Sequence, residues 1–216
     1  MSLRRLRLFL ATLVIFTTGS LSTAQDKPKF SYGILIDNTG SMRSQFDIEL
    51  ALGKAIVGHL HDHGPVSIFD FRSEGVGPGM RALPMARIDA SMDERLLNRT
   101  IDNLYVEGGQ TTLLDAIDAI ANSLQQNSPE ATKIIILITD GEDRESRIKK
   151  EALIQKLKQQ KIAVFAIGLT QQLEKHKSRS TDLLNFLTKE TGGRAVIPKK
   201  AQSVDELVTA LAVPIQ

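Results

Sequence analysis

Apolar and polar positions along this 216-residue chain fall into two alternating kinds of run. Phe30 to Ile36 (FSYGILI) and Ile134 to Ile138 (IIILI) are short and nearly all apolar, the pattern of strands covered on both faces. Pro65 to Phe71 (PVSIFDF) alternates like a half-exposed strand, and Ile162 to Leu169 and Arg194 to Pro198 read as two more. Helical spacing governs the segments between. Leu113, Ile117, Ile120, Ala121 and Leu124 share one helical face, and Ile48, Leu52, Ala55, Ile56 and Leu60 form another within Gln45 to Leu60. Ser91 to Leu104 opens with a capping-box pattern, Ser91 and Glu94, and further helices are expected over Ser146–Gln160, Thr181–Thr191 and Ser203–Ala212. Residues 75–88 hold too much Gly and Pro for a helix and predict a loop with a short edge strand.

Strands alternating with helices, several strands being continuously apolar, predict an α/β fold: a doubly wound, mostly parallel central sheet flanked by helices on both faces. In such a sheet the first strand lies beside the one that begins the second half, and ligands sit beyond the carboxyl ends at that switch point. Asp37 and Asp140 would then end neighbouring strands.

The N-terminus changes the charge picture. Arg4, Arg5 and Arg7 precede an apolar stretch from Leu8 to Phe16 and then small residues, with Ser22 and Ala24 at cleavage-site positions. The expectation is a signal peptide over residues 1–24 and a single domain over 25–216, periplasmic or secreted, with an uncleaved N-terminal membrane anchor as the alternative. No remaining segment is long and apolar enough to span a bilayer. Removing the leader takes three Arg and no acid from totals of 27 basic and 25 acidic residues, leaving 24 against 25. That near-neutral balance argues against nucleic acid as a partner, and the run Lys175, His176, Lys177, Arg179 reads as a solvated loop. The absence of cysteine excludes disulfides and thiolate metal sites, so the core alone must hold the domain together.

Candidate chemistry concentrates at two strand ends. Asp37 and Asp140 in one crevice repel, and burial penalises their ionised forms further. Nearby hydroxyls (Thr39, Ser41, Thr139, and Thr111 and Thr112 in the loop EGGQTT) supply oxygen donors without His or Cys. Such a set suits a hard cation, Mg²⁺, Mn²⁺ or Ca²⁺, and few protein ligands favour the smaller ion with its retained water.

DNTGS, then GGQTTLLDAI, then IIILITDG, in that order, resembles the von Willebrand factor type A (VWA) domain and its metal-ion-dependent adhesion site (MIDAS). The family pattern of Asp-x-Ser-x-Ser, a distant Thr and a later Asp falls on Asp37, Thr39, Ser41, Thr111 and Asp140. Thr39 stands where the family most often has Ser, which keeps the hydroxyl and adds a methyl. Thr111 is counted from Gly108-Gly109, with Thr112 as the neighbouring alternative and as a helix-cap candidate with Asp115. The resemblance implies a Rossmann-like fold and a site where Thr39, Ser41 and Thr111 contact a divalent cation, most often Mg²⁺, while Asp37 and Asp140 hold its waters. It further implies that an Asp or Glu of a partner protein completes the coordination, that the domain is a binding module rather than an enzyme, and that ligand engagement shifts the last helix, Ser203–Ala212. Specificity would sit in loops 75–88, 105–112 and 171–180.

Two other functions compete. Asp-Asn-Thr-Gly-Ser also looks like the phosphorylated aspartate loop of haloacid-dehalogenase-type phosphotransferases, with Asp37 as nucleophile and Thr139 on phosphate oxygens. That machinery needs a Lys and a late acidic pair, and Gly168-Leu169-Thr170-Gln171 carries no carboxylate. A structural assembly module with an idle metal site is the other. His59, His61 and His63 look like metal ligands, yet they fall at a helix end where His complements the dipole. Asp70, between Phe69 and Phe71, is expected to face solvent, with a place lining the crevice as the alternative, and Glu142 and Asp143 are expected to act on the rim potential or as helix-start acids.

Overall fold

Five consecutive apolar residues, Ile134 to Ile138, are all buried because both sides of their strand are covered. In the computed structural model, described for residues 29–215 apart from 76, 78, 174, 175 and 199–201, this run lies within β5 (Thr132–Thr139). The expected signal peptide and Lys175 lie outside the described residues. Ile134, Ile136 and Ile138 join one apolar cluster, and Ile135 and Leu137 join a second on the opposite face. β1 (Phe30–Ile36) divides its residues in the same way, Ile34 and Ile36 to the first cluster and Leu35 to the second.

The chain runs β1, a 3₁₀ segment (Gly40–Gln45), α1 (Phe46–Leu60), β2 (Val66–Ser73), β3 (Arg81–Ser91), α2 (Glu94–Asp102), β4 (Gln110–Thr111) and α3 (Leu113–Asn127). It continues through β5, α4 (Lys150–Gln159), β6 (Ile162–Gly168), α5 (Lys177–Thr191), β7 (Ala195–Val196) and α6 (Val204–Leu211). Among the described residues the sheet has seven strands in the order β4-β3-β2-β1-β5-β6-β7. Every pairing is parallel except β2 with β3. The expected α/β, mostly parallel, doubly wound sheet is therefore what forms. Among the described residues no helix is long and apolar enough to cross a membrane.

β1 lies between β2 and β5, so the chain extends the sheet first to one side and then to the other. The switch point falls between β1 and β5, where Ile36 pairs with Ile138 and Asp37 N–H donates to the Ile138 carbonyl at 3.0 Å. Asp37 and Asp140 accordingly leave the sheet side by side.

Close packing against β1 depends on a missing side chain. A Cβ on Gly33 would lie 2.2 Å from Ile120 Cγ2 of α3. Overfilling a packed core costs about 1–3 kcal/mol. Gly33→Ala is expected to lose that much stability in urea unfolding, and an unchanged midpoint would show that α3 can move aside.

Several local expectations differ from the structure, among them the start of α5, which is Lys177 rather than Thr181, so that Lys177 and Arg179 are helical rather than part of a loop. Residues 81–91, expected partly as loop, form the long strand β3, because pairing with β2 overrides the local turn chemistry of Pro84. The cap of α2 is Asp93, whose carboxylate accepts from Leu96 N–H at 3.0 Å, while the Ser91 hydroxyl accepts from Asp93 N–H at 3.1 Å. α4 begins at Lys150 rather than Ser146, since the Ser146 hydroxyl is committed to Asp143 and to the start of α3.

Candidate metal centre

Asp37 is buried, and its two oxygens are both engaged. Oδ1 accepts from Thr39 N–H at 3.2 Å and from Thr39 Oγ1 at 2.7 Å, while Oδ2 accepts from Thr139 Oγ1 at 2.5 Å. Thr139 is held in turn by Gly141 N–H, which donates to its hydroxyl at 3.0 Å. Thr39 Oγ1 lies 3.4 Å from Ser41 Oγ, and Thr111 Oγ1 donates to it at 3.1 Å. Hydroxyls from three separate segments thus converge beside one carboxylate.

Asp140 faces this group from the end of β5. Its Oδ1 accepts from Glu142 N–H at 2.9 Å, but its Oδ2 is buried with no hydrogen-bond partner. Burial raises the pKa of Asp37 to about 7, with the charge of Asp140 adding to the rise and the Thr139 and Thr39 donors opposing it. Asp140 is raised by burial too, against the Glu142 N–H and the nearby Ser41 hydroxyl. Two buried acids with an orphaned oxygen, rimmed by hydroxyls, form a donor set that fits a hard divalent cation. Ser41 and Gly40 are exposed whereas Asp37, Thr39, Thr111 and Asp140 are buried, so the cluster opens to solvent on the Ser41 side.

The loops are fixed by their own chemistry. Met42, fully buried, anchors the 3₁₀ segment in the core, and Gln45 Nε2 donates to the Leu169 carbonyl at 3.0 Å. Gly141 adopts φ +78°, and a Cβ there would meet Leu184 and the Ser180 carbonyl of α5 at about 3.0 Å. The Thr111 carbonyl accepts from Arg144 and Glu145 N–H at 3.0 and 3.3 Å, joining the Thr loop to the segment after Asp140.

The five residues singled out in the sequence, Asp37, Thr39, Ser41, Thr111 and Asp140, come together at one end of the sheet. Thr112 does not join them. Its hydroxyl donates to the Ala82 carbonyl at 2.5 Å, and it makes no side-chain cap to α3. Asp70 does not face solvent: it is fully buried on β2 and held by Arg87 of β3, Nε to Oδ1 at 2.6 Å and Nη2 to Oδ2 at 2.5 Å. Glu142 is buried against Arg144, whereas Asp143 accepts from Ser146 Oγ and from Leu114 N–H in the first turn of α3, a helix distant in sequence rather than the next one. His59 and His63 are exposed, and among the described residues no three His, Cys, Asp or Glu are placed to hold one ion directly.

Asn38 was legible only as a turn residue, yet it ties three segments together. Its Oδ1 accepts from Phe71 N–H at 2.8 Å, and its Nδ2 donates to the Tyr105 carbonyl at 2.9 Å and to Asp70 Oδ2 at 3.2 Å. Its carbonyl accepts from Glu107 N–H at 2.7 Å. The loop bearing Thr39 and the loop leading to Thr111 are therefore pinned to the same β2 strand end.

Beside the cluster an open groove of about 1190 Å³ runs between α4 and α5, lined among others by Gly141, Glu142, Arg144, Lys149, Lys150 and Phe186. Its wall begins one residue past Asp140.

The fold recurs in solved structures. The chain is similar to proximal thread matrix protein 1 of the mussel byssus, solved with a zinc-occupied MIDAS motif, at 19% identity and TM-score 0.59 over 86% of this chain and 46% of that one. The pilus adhesin SpaC of Lactobacillus rhamnosus GG matches at 15% identity and TM-score 0.62, covering 87% of this chain and 29% of that chain. The VWA-type domain of the type V pilus tip protein Mfa5 of Porphyromonas gingivalis matches at 11% identity and TM-score 0.66, covering 88% and 97%. This chain thus spans less than half the length of the first two. Among curated proteins, none matches the chain in sequence. The family model of the von Willebrand factor type A domain matches residues 33–210, most of the chain and all of the strand ends described above, and the chain belongs to that family.

Proposed function

We propose that this chain is an exported, divalent-cation-dependent protein-binding domain that grips an acidic side chain of a partner. The observation that carries the reading is the buried, unpartnered Oδ2 of Asp140 beside Asp37 and the hydroxyls of Thr39, Ser41 and Thr111. Thr39, Ser41 and Thr111 would hold the ion by their oxygens, and Asp37 and Asp140 would accept hydrogen bonds from its waters. When bound there, Mg²⁺, or Mn²⁺ or Ca²⁺ in its place, supplies a positive charge able to take up an incoming carboxylate. Because both acids act at one remove, little of the ion's charge is neutralised directly.

The solvent-facing side of Ser41 sets the direction of approach, and the groove past Gly141 gives a partner segment room on one flank. Arg144, Lys149, Lys150 and Arg179 along it alternate with Glu142, Asp143, Glu151 and Asp182, so the groove offers partners to both signs of charge. Asp37 is not presented as a nucleophile, since Thr39 and Thr139 occupy both its oxygens in a buried setting. The leader pattern of residues 1–24 and the likeness to a pilus adhesin and a pilus tip domain support export to a periplasmic or extracellular location.

The test is calorimetric titration of the full chain with Mg²⁺ and Mn²⁺, followed by binding of immobilised Glu-containing peptides with and without chelator. A saturable cation site and peptide capture that vanishes with chelator, or when the Glu is replaced by Gln, is the expected result. Cation binding with no metal-dependent capture of any acidic peptide would favour an idle structural site instead.

A further inference from the structure

Below the cluster lies an acid that neither the motif nor the fold requires. Glu49 of α1 is fully buried, and neither of its carboxylate oxygens has a hydrogen-bond partner. Its place follows from its neighbours on the same helical face. One turn later, a Cβ on Gly53 would lie 2.8 Å from Ile36 Cδ1, so this face of α1 presses on the last residue of β1. One turn earlier, Gln45 reaches the Leu169 carbonyl just past β6. Glu49 therefore sits between these points, beneath the carboxyl ends of β1, β5 and β6, where Asp37 and Asp140 leave the sheet. Thr170, next to Leu169, adds another buried hydroxyl oxygen without a partner.

A buried carboxylate that accepts no hydrogen bond is strongly disfavoured. The N-terminus of α1 favours negative charge nearby, but it supplies Glu49 with no donor. We propose that Glu49 is a third carboxylate of the metal centre, lying at its floor and accepting hydrogen bonds from water carried by the bound cation. This inference rests on the metal-site reading above. A water-mediated role agrees with the absence, among the described residues, of three acids close enough to hold one ion directly. Burial, and after it the charges of Asp37 and Asp140, push the Glu49 carboxyl well above its ordinary range, as expected for acids sharing one field. Glu49 is thus a positioning residue, organising hydration on the side of the ion away from the partner.

Mn²⁺ titration of the full chain tests the assignment, with Glu49→Gln, Glu49→Leu and Asp37→Ala beside the wild type and thermal unfolding recorded with and without Mn²⁺. Both Glu49 variants are expected to bind Mn²⁺ about 10-fold more weakly. Without metal they should unfold at or above the wild-type temperature, because the cost of burying an ionisable carboxyl without a partner has gone. Unchanged Mn²⁺ affinity in the Glu49 variants, with binding lost in Asp37→Ala, would overturn this inference and leave the metal site standing. Variants that unfold without metal at a markedly lower temperature than the wild type would make Glu49 a structural residue and overturn it too. A wild-type chain that binds no Mn²⁺ would overturn both readings.

Discussion

Asp37→Asn is expected to lower the affinity of the chain for Mg²⁺ by about 10- to 100-fold and, without metal, to make it more stable than the wild type at pH 8. The two effects have one cause. Asp37 is buried beside Asp140, and its carboxyl is raised from the ordinary 3.8 to about 7, first by burial and then by that neighbouring charge. A carboxyl raised on folding keeps its proton in the native state at pH values where the unfolded chain has lost it. The stability it contributes is full below about pH 4 and is lost as pH rises through about 7. Metal-free wild type should therefore weaken across that window, and saturating Mg²⁺ should remove the decline. Asparagine carries no charge, so the variant escapes the Asp37 part of the loss and keeps only what Asp140 and Glu49, both also raised, contribute. Thermal unfolding at pH 4, 6 and 8 should show the variant gaining on the wild type as pH rises, by at least about 3 °C at pH 8, where about 1 kcal/mol shifts a domain of this size by roughly 2–4 °C. Parallel curves for the two proteins without metal would mean that Asp37 and Asp140 do not burden one another.

That frustrated pair was legible in the sequence because its determinants are local. Asp-Asn-Thr-Gly-Ser holds three of the five oxygen-bearing residues within five positions, and β5 announces itself by a run of apolar residues with no polar interruption. Parallel pairing of β1 with β5 then follows from the alternation of strands and helices, and it brings Asp140 beside Asp37. What escaped detection depends on contacts between distant segments. Asn38 reaches Phe71 and Tyr105, 33 and 67 residues away, and nothing in its immediate neighbours distinguishes it from an ordinary turn residue. Glu49 is not singled out by its sequence neighbours, because nothing local reveals that this face of α1 lies over the strand ends. Asp70 misled for a different reason. It shares a strand face with Val66 and Ile68, and period-two reasoning would have put it inward had Phe69 and Phe71 not seemed to claim the interior. Both faces of β2 are covered, so both sets are buried, and the charge on Asp70 is tolerated only because β3 brings Arg87 across.

Arg87→Met should consequently be the most destabilising of these changes, at about 3 kcal/mol, the low end of the penalty for leaving a buried charge without its partner, because Arg87 itself keeps 19% of its side chain exposed. Met85 lies directly opposite Asp70, and Arg87 reaches diagonally across to grip both carboxylate oxygens at 2.5 and 2.6 Å. With the guanidinium gone, Asp70 keeps the Asn38 amide at 3.2 Å. Burial already raises the Asp70 carboxyl against the opposing effect of Arg87, and removing Arg87 raises it further. The deficit relative to wild type should be smallest in acid, where Asp70 is protonated in both folded and unfolded chains, and should grow as pH climbs past the ordinary carboxylate range. Urea unfolding at pH 4.5 and pH 8 measures this, and adding Asp70→Leu should recover most of the loss, since two apolar partners leave no orphaned charge. The metal centre supplies an independent readout. Asn38 lies between Asp37 and Thr39 and bonds Asp70, so loosening that carboxylate loosens the segment bearing the hydroxyls. Mg²⁺ affinity should therefore fall in Arg87→Met although Arg87 belongs to a different strand from every proposed ligand. A variant that loses stability while binding Mg²⁺ as tightly as the wild type would show that the bonds of Asn38 to Phe71, Tyr105 and Glu107, with Met42 and Gln45, hold the loop in register without Asp70.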